Sequence, residues 1–207
     1  MRKLFAFLAA AILMACLATS TQAADDLATS VRARLADAPV VRGNFEQKKI
    51  ISGFRKPIVS RGSFVIARER GVLWETKEPF AGSLKLTRNE IVTKSGNEQT
   101  LRIAASDQPG MQSVSRLLFA LLSGDVKQLS ESFNVSGELR GAQGWQLQLQ
   151  PKLEALSKLF ARIELTGDRY VRHVELFEVS GDHTDIQLSA VGSEPAALTA
   201  DEAHRFE

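Results

Sequence analysis

Three histidines, one cysteine and a scatter of carboxylates are the side chains from which this chain of 207 residues could build a reactive site. His173 lies within a strand-like run, His183 follows a Gly-Asp turn and His204 stands near the C-terminus. The one compact polar group, Asp182-His183-x-Asp185, lacks the paired spacing of a metal-ligand motif and reads as turn material. Glu175 and Glu178 fall three apart on one strand. They point to opposite faces and cannot form a carboxylate pair for acid/base work. There is no G-x-S-x-G elbow, P-loop or dinucleotide fingerprint. No catalytic residue, metal ligand or cofactor site is expected, and the chain reads as a binding protein rather than an enzyme. Cys16, the only cysteine, precedes the folded part and leaves it without an internal disulfide.

With reactive chemistry set aside, the elements that shape a surface become the informative ones. Residues 1–23, MRKLFAFLAAAILMACLATSTQA, join Arg2 and Lys3 to an apolar run and small residues, the layout of a secretory signal peptide. The apolar run is shorter than the ~20 residues of a bilayer span. Thr21-Gln22-Ala23 gives a cleavage site before Ala24 and a protein released into the periplasm. The alternative is Leu13-Met14-Ala15-Cys16, a lipobox-like stretch that would leave a lipid anchor on Cys16. Arg2 and Lys3 account for the whole net charge of +2, so the remainder balances 24 basic against 24 acidic side chains. Without a basic stripe or long-range field, nucleic-acid binding is not expected. Residues 24–207 show no linker or repeat and suit one domain with its own core, a monomer by expectation.

Beyond Pro39 a period-two pattern dominates the chain. VRGNFEQKKI, VSRGSFVIA, GVLWETK and SLKLT each place apolar residues on one face: Phe45, then Phe64 and Ile66, Val72 and Trp74, and Leu84 and Leu86. NEIVTK and EQTLRI flank a Ser-Gly-Asn turn. Later come FNVSGEL, GWQLQLQP, LFARIELT, RYVRHVELFEV and HTDIQLSAV, which brings the strands to about eleven. Two helices stand outside this pattern. Leu27, Val31 and Leu35 make an i, i+4, i+8 stripe behind Asp25 and Asp26, and that helix ends at Asp37-Ala38-Pro39. Val114, Leu117, Leu118, Leu121 and Leu122 follow helical spacing up to Gly124, with a weaker helical turn at Val126 to Leu129. The expected fold is mainly β with helices (α+β): an incomplete antiparallel β-barrel, or strongly curved sheet of about eleven strands, with a helical lid.

Phe45-x-Gln47, Gly62-x-Phe64, and Arg68 followed by Trp74 and Pro79 resemble the N-terminal pattern of the outer-membrane lipoprotein carrier (LolA) family. Leu121-Leu122-Ser123-Gly124-Asp125 is also similar to sequences of that family's relatives. The resemblance implies a hydrophobic cavity for acyl chains lined by Phe45, Phe64, Ile66, Val72, Trp74, Leu84 and Leu86. It also implies a lid, formed by the first helix together with the helix of Val114, Leu117, Leu118 and Leu121, and latched through hydrogen bonds to helix backbone by Arg68, or by Arg70 if the loop is shifted. The implied partners are acylated lipoprotein or lipid cargo, an inner-membrane transporter that loads it and an outer-membrane acceptor that receives it. Two other roles stay open on the same fold: a lipid-anchored outer-membrane receptor and a lipoprotein-sensing regulatory module. The chain departs from the family pattern at Glu69, where a proline usually follows the arginine, and in its basic 51–60 segment with Phe54 and Pro57.

Overall fold

The computed structural model describes residues 19–96, 98–104, 119–120 and 125–207. It contains helix α1 (Thr19–Arg34) and then strands β1 (Val40–Ile50), β2 (Ile58–Ala67), β3 (Gly71–Glu78), β4 (Gly82–Leu86), β5 (Glu90–Ser95) and β6 (Glu98–Ala104). Helix α2 (Val126–Ser132) leads into β7 (Phe133–Arg140) and β8 (Gly144–Pro151). Helix α3 (Glu154–Ser157), β9 (Phe160–Gly167), β10 (Val171–Glu178), β11 (His183–Gly192) and helix α4 (Ala200–Arg205) complete the order. The strands form one open antiparallel sheet in the order β6-β5-β4-β3-β2-β1-β11-β10-β9-β8-β7. Two meanders, β1 to β6 and β7 to β11, therefore join where the first strand pairs with the last. This is the curved eleven-stranded sheet with helices that the alternation predicts. Of the apolar helix before Gly124, only Phe119 and Ala120 are described, both helical. Val114, Leu117, Leu118 and Leu121 lie outside the described residues.

The alternation sorts each strand between two faces. The inner face carries the main core: Phe45, Phe64, Ile66, Val72, Leu86 and Ile91 from the first meander, and Phe133, Trp145, Leu147, Leu149, Ile163, Leu165, Val174 and Leu188 from the second half. Each fully buried Leu, Ile or Phe side chain contributes roughly 1.5–3 kcal/mol of hydrophobic stabilisation. Helix α1 covers the β7 end with the predicted stripe, Leu27, Val31 and Leu35. It begins earlier than Asp25, and the Arg34 guanidinium donates to the Gly144 carbonyl. Asp125 caps α2 by accepting from the Gln128 N–H at 3.1 Å. Next to the cap, buried Ala120 joins the same core.

The outer face has a smaller cluster that the strand pattern does not announce. Val40, Ala67 and Leu73 are covered by Phe206, which comes directly after α4. Thr199 and Glu202 form a capping box at the start of α4. Its T-x-x-E spacing is readable in the sequence, although strand alternation does not draw attention to it. Arg42 fastens this helix to the sheet by a bidentate pair with Glu202, both contacts 2.6 Å, and by donating to the Pro195 and Ala197 carbonyls.

Candidate functional site

The motif around Phe45 and Phe64 has a geometric cause. In the β1–β2 register Phe45 faces Gly62, and Gly43 faces Phe64. Each ring lies against the other strand's glycine. A Cβ on Gly43 would stand 2.7 Å from the Phe64 ring, and one on Gly62 would stand 2.8 Å from Phe45 and 1.8 Å from the Glu75 carbonyl oxygen. Glycine at both positions is thus what lets two aromatic rings lie flat on one pair of strands. Trp74 completes the group, stacked on Phe45 with centroids 3.9 Å apart and near Phe64 at 5.9 Å. Such stacking contributes beyond simple area burial.

At the seam where β1 and β2 meet β10 and β11, below the end of α1, lies a cavity of about 400 Å³. That volume falls within the ~300–1,000 Å³ of typical small-molecule sites. Its apolar lining comes from Leu35, Val41, Phe64, Ile66, Phe119, Val171, Leu188 and Val191. Arg32, Arg68, Lys127, Arg169, Tyr170 and Asp125 supply the polar part of the lining. An apolar interior with a largely cationic border suits a ligand that is greasy over most of its length and carries an anionic or polar end.

Among the seven residues expected to line an acyl site, the structure brings Phe64 and Ile66 to this cavity. Phe45, Val72, Trp74, Leu84 and Leu86 lie on the same inner face and continue the apolar surface away from it, Trp74 and Leu84 being only partly buried. Leu35, from the apolar stripe of the expected lid helix α1, joins the lining, whereas the contributions of β10 and β11 have no signal of their own in the sequence. Val171, Leu188 and Val191 look like ordinary strand residues until β11 is known to pair with β1. Arg68 stands at the cavity border, where its guanidinium donates to Asp37 Oδ1 at 2.6 Å. Arg32 reaches the same oxygen at 3.3 Å. The Arg68 guanidinium, with Arg32 beside it, holds the Asp37 carboxyl below the usual carboxylate range. Arg68 thus bonds the segment just beyond α1, and its backbone N–H also donates to the Pro39 carbonyl at 3.0 Å.

The chain thus combines an open, curved antiparallel sheet with an apolar inner cavity under helices, an architecture suited to binding. The family model described as "Outer membrane lipoprotein carrier protein LolA" matches residues 37–202, and the chain belongs to that family. Comparison with curated protein sequences finds no match. Among solved structures, a DUF1329 family protein from Desulfovibrio piger is similar over 89% of this chain and 97% of its own, at 12% identity and a TM-score of 0.51. That likeness shows a shared fold. A putative outer membrane lipoprotein-sorting protein domain from Vibrio parahaemolyticus matches over 87% of this chain and 96% of its own, at 12% identity and a TM-score of 0.48. A LolA superfamily protein from Nitrosomonas europaea matches over 86% and 95%, at 9% identity and a TM-score of 0.44. No helix among the described residues is long and apolar enough to cross a membrane.

Proposed function

We propose that the protein is a periplasmic carrier that binds acyl chains of lipoproteins or lipids and moves them from the inner to the outer membrane. The observation that carries this reading is the cavity of about 400 Å³, apolar within and bordered by Arg32, Arg68, Lys127 and Arg169, in a member of the carrier family. Phe64 and Ile66 form its wall. Trp74 and Leu84, only partly buried, offer the surface along which a longer chain extends, and Phe45, Val72 and Leu86, buried at rest, join it once the covering elements move. An inner-membrane transporter loads the cargo and an outer-membrane acceptor takes it.

Release is the difficult step for such a carrier. Withdrawing ~15 methylenes from water is worth roughly 12 kcal/mol at ~0.8 kcal/mol each, so a site that bound them without opposing cost would hold them too firmly. In our reading the apolar helix of Val114, Leu117, Leu118 and Leu121 covers the inner face when the site is empty, and cargo must displace it. That displacement offsets part of the affinity. Arg68 stabilises the closed arrangement by tying the Asp37 segment beside the cavity.

The test is intact and native mass spectrometry of protein exported with its own leader and purified without detergent from periplasmic and membrane fractions. A soluble species beginning at Ala24 with an acyl-containing adduct, displaced by a fluorescent fatty-acyl probe, is expected. A membrane species beginning at an acylated Cys16 would replace the shuttle by the receptor reading. A soluble, ligand-free protein that takes up no acyl probe would overturn both.

A further inference from the structure

The outer face of β10 and β11 carries a constellation unrelated to the cavity. His173 and Glu175 project from one face of β10, His183 and Asp185 from the same face of β11, and Glu175 pairs directly with Asp185 in the ladder. The sequence thus holds His-x-Glu and His-x-Asp on adjacent antiparallel strands, arranged about the Glu175–Asp185 pair with near two-fold symmetry. Potential ligand atoms of His173, Glu175 and Asp185 all lie within 4.8 Å of one another. His173 Nε2 is 3.1 Å from Asp185 Oδ2, and His183 Nε2 is 3.2 Å from Glu175 Oε1.

These close approaches are not hydrogen bonds. Among the described residues, the buried atoms His173 Nε2, His183 Nε2 and Asp185 Oδ1 find no hydrogen-bond partner, so the ring nitrogens lie beside the carboxylate oxygens without pointing at them. Donor atoms sharing one zinc ion at ~2.0–2.2 Å each stand about 3–3.5 Å apart; His173 and Asp185 already stand at that spacing, and Glu175 lies within 4.8 Å of both, a short side-chain rotation away. The neighbouring cations are otherwise engaged: Lys48, opposite Asp185 on β1, pairs with Glu46 at 3.0 Å, and Arg162 pairs with Glu164 at 2.7 Å. His183 is held against Phe177, the rings stacked with centroids 4.5 Å apart, and the Arg162 guanidinium covers the Phe177 ring at 3.5 Å. Aromatic and cationic packing therefore holds one imidazole in place beside the cluster.

We infer that His173, Glu175 and Asp185 bind a divalent transition-metal ion, zinc by their mixed nitrogen and oxygen donors, with His183 adjoining through Glu175. The ion clips β10 to β11 from the face opposite the acyl cavity. Each of the four side chains is about a quarter exposed, which leaves the site reachable from solvent. A nitrogen-and-carboxylate set of this kind favours zinc over calcium or magnesium, which take oxygen ligands.

The experiment is calorimetric titration of Zn²⁺ into the tag-free, chelator-treated protein, beside His173→Gln, Asp185→Asn and His204→Gln variants whose folding is checked by circular dichroism. Saturable binding of one equivalent is expected, with affinity reduced about tenfold or more by the first two substitutions and unchanged by the third. Zinc should also raise the thermal midpoint of the unaltered protein and shift the His173 Nε2 resonance. Absence of saturable binding to the folded protein overturns the site, as does binding that survives His173→Gln and Asp185→Asn together or is lost with His204→Gln.

Discussion

The two meanders use one device under different packing. In each, an aromatic ring lies over a glycine of the neighbouring strand: Phe45 and Phe64 over Gly62 and Gly43 in the first, Trp145 over Gly167 in the second. In the second meander the space around the ring is filled. Phe133, Leu147, Leu149, Ile163 and Leu165 are wholly buried beneath α1 and α2, and the Trp145 indole N–H donates to the Asp168 carbonyl at 2.7 Å. In the first, Trp74 and Leu84 keep part of their surface exposed, and Phe64 and Ile66 wall a cavity. The β7–β9 end is a solid core, whereas the first meander and its seam with β10 and β11 retain room. A carrier needs both, because a cavity lowers stability and the deficit must be offset where the packing is complete.

The sharpest way to break this arrangement is Gly62→Ala. Its Cβ would meet the Glu75 carbonyl oxygen at 1.8 Å, and backbone cannot step aside as a side chain can. A loss of about 3 kcal/mol or more, or failure to accumulate as folded protein, is expected in urea denaturation. Leu147→Ala, in the filled half, should cost about 3–4 kcal/mol, whereas Leu84→Ala, in the half with room, should cost less than about half of that. Equal losses at the two leucines would abolish the contrast.

Acid tests the clasp that covers the outer face of the first meander. Arg42 is the main reason why the Glu202 carboxyl titrates at about 2, below its ordinary 4.5. A depressed carboxylate stabilises the fold above its unfolded pKa and loses that contribution as pH falls through the folded one. The Arg42–Glu202 contribution is therefore complete above about pH 4.5 and lost toward pH 2, on the order of 1–3 kcal/mol. Thermal midpoints measured across that range should fall less steeply for Glu202→Gln, which lacks the pair from the start.

At the seam the expected effects are smaller. Val191→Trp, which adds bulk to the cavity lining, should weaken binding of a fatty-acyl probe about tenfold while changing stability by less than about 1.5 kcal/mol. Unchanged probe affinity would place the acyl site elsewhere. Arg68→Ala should have the smallest effect on folding, leaving the thermal midpoint within error because its pair with Asp37 is exposed, yet it should alter the rate of probe uptake.

Much of the fold was legible because a strand with one buried face must alternate. Phe64-x-Ile66, Val72-x-Trp74 and Leu147-x-Leu149 declared their strands and inner face in the sequence, and the Leu27, Val31, Leu35 stripe declared α1. His183 was legible as the first residue of HTDIQLSAV, where β11 indeed begins, although Asp182-His183-x-Asp185 by itself reads as polar turn material, since strand ends depend on pairing more than on local type. Helix α4 was missed because six residues give too little periodicity, although its capping box was visible.

The strands, the faces of their side chains and the glycine-aromatic motif were thus set by sequence alone, as consequences of the two-residue period and of what fits beside a ring. The pairing of β1 with β11 belongs to the folded sheet, and with it the meeting of Phe64 and Ile66 with Leu188 and Val191 around one cavity. The same holds for the placement of His173-x-Glu175 beside His183-x-Asp185. Register between strands is fixed by packing and turn geometry, so residues far apart or in different turns meet only when the whole sheet has assembled in its order.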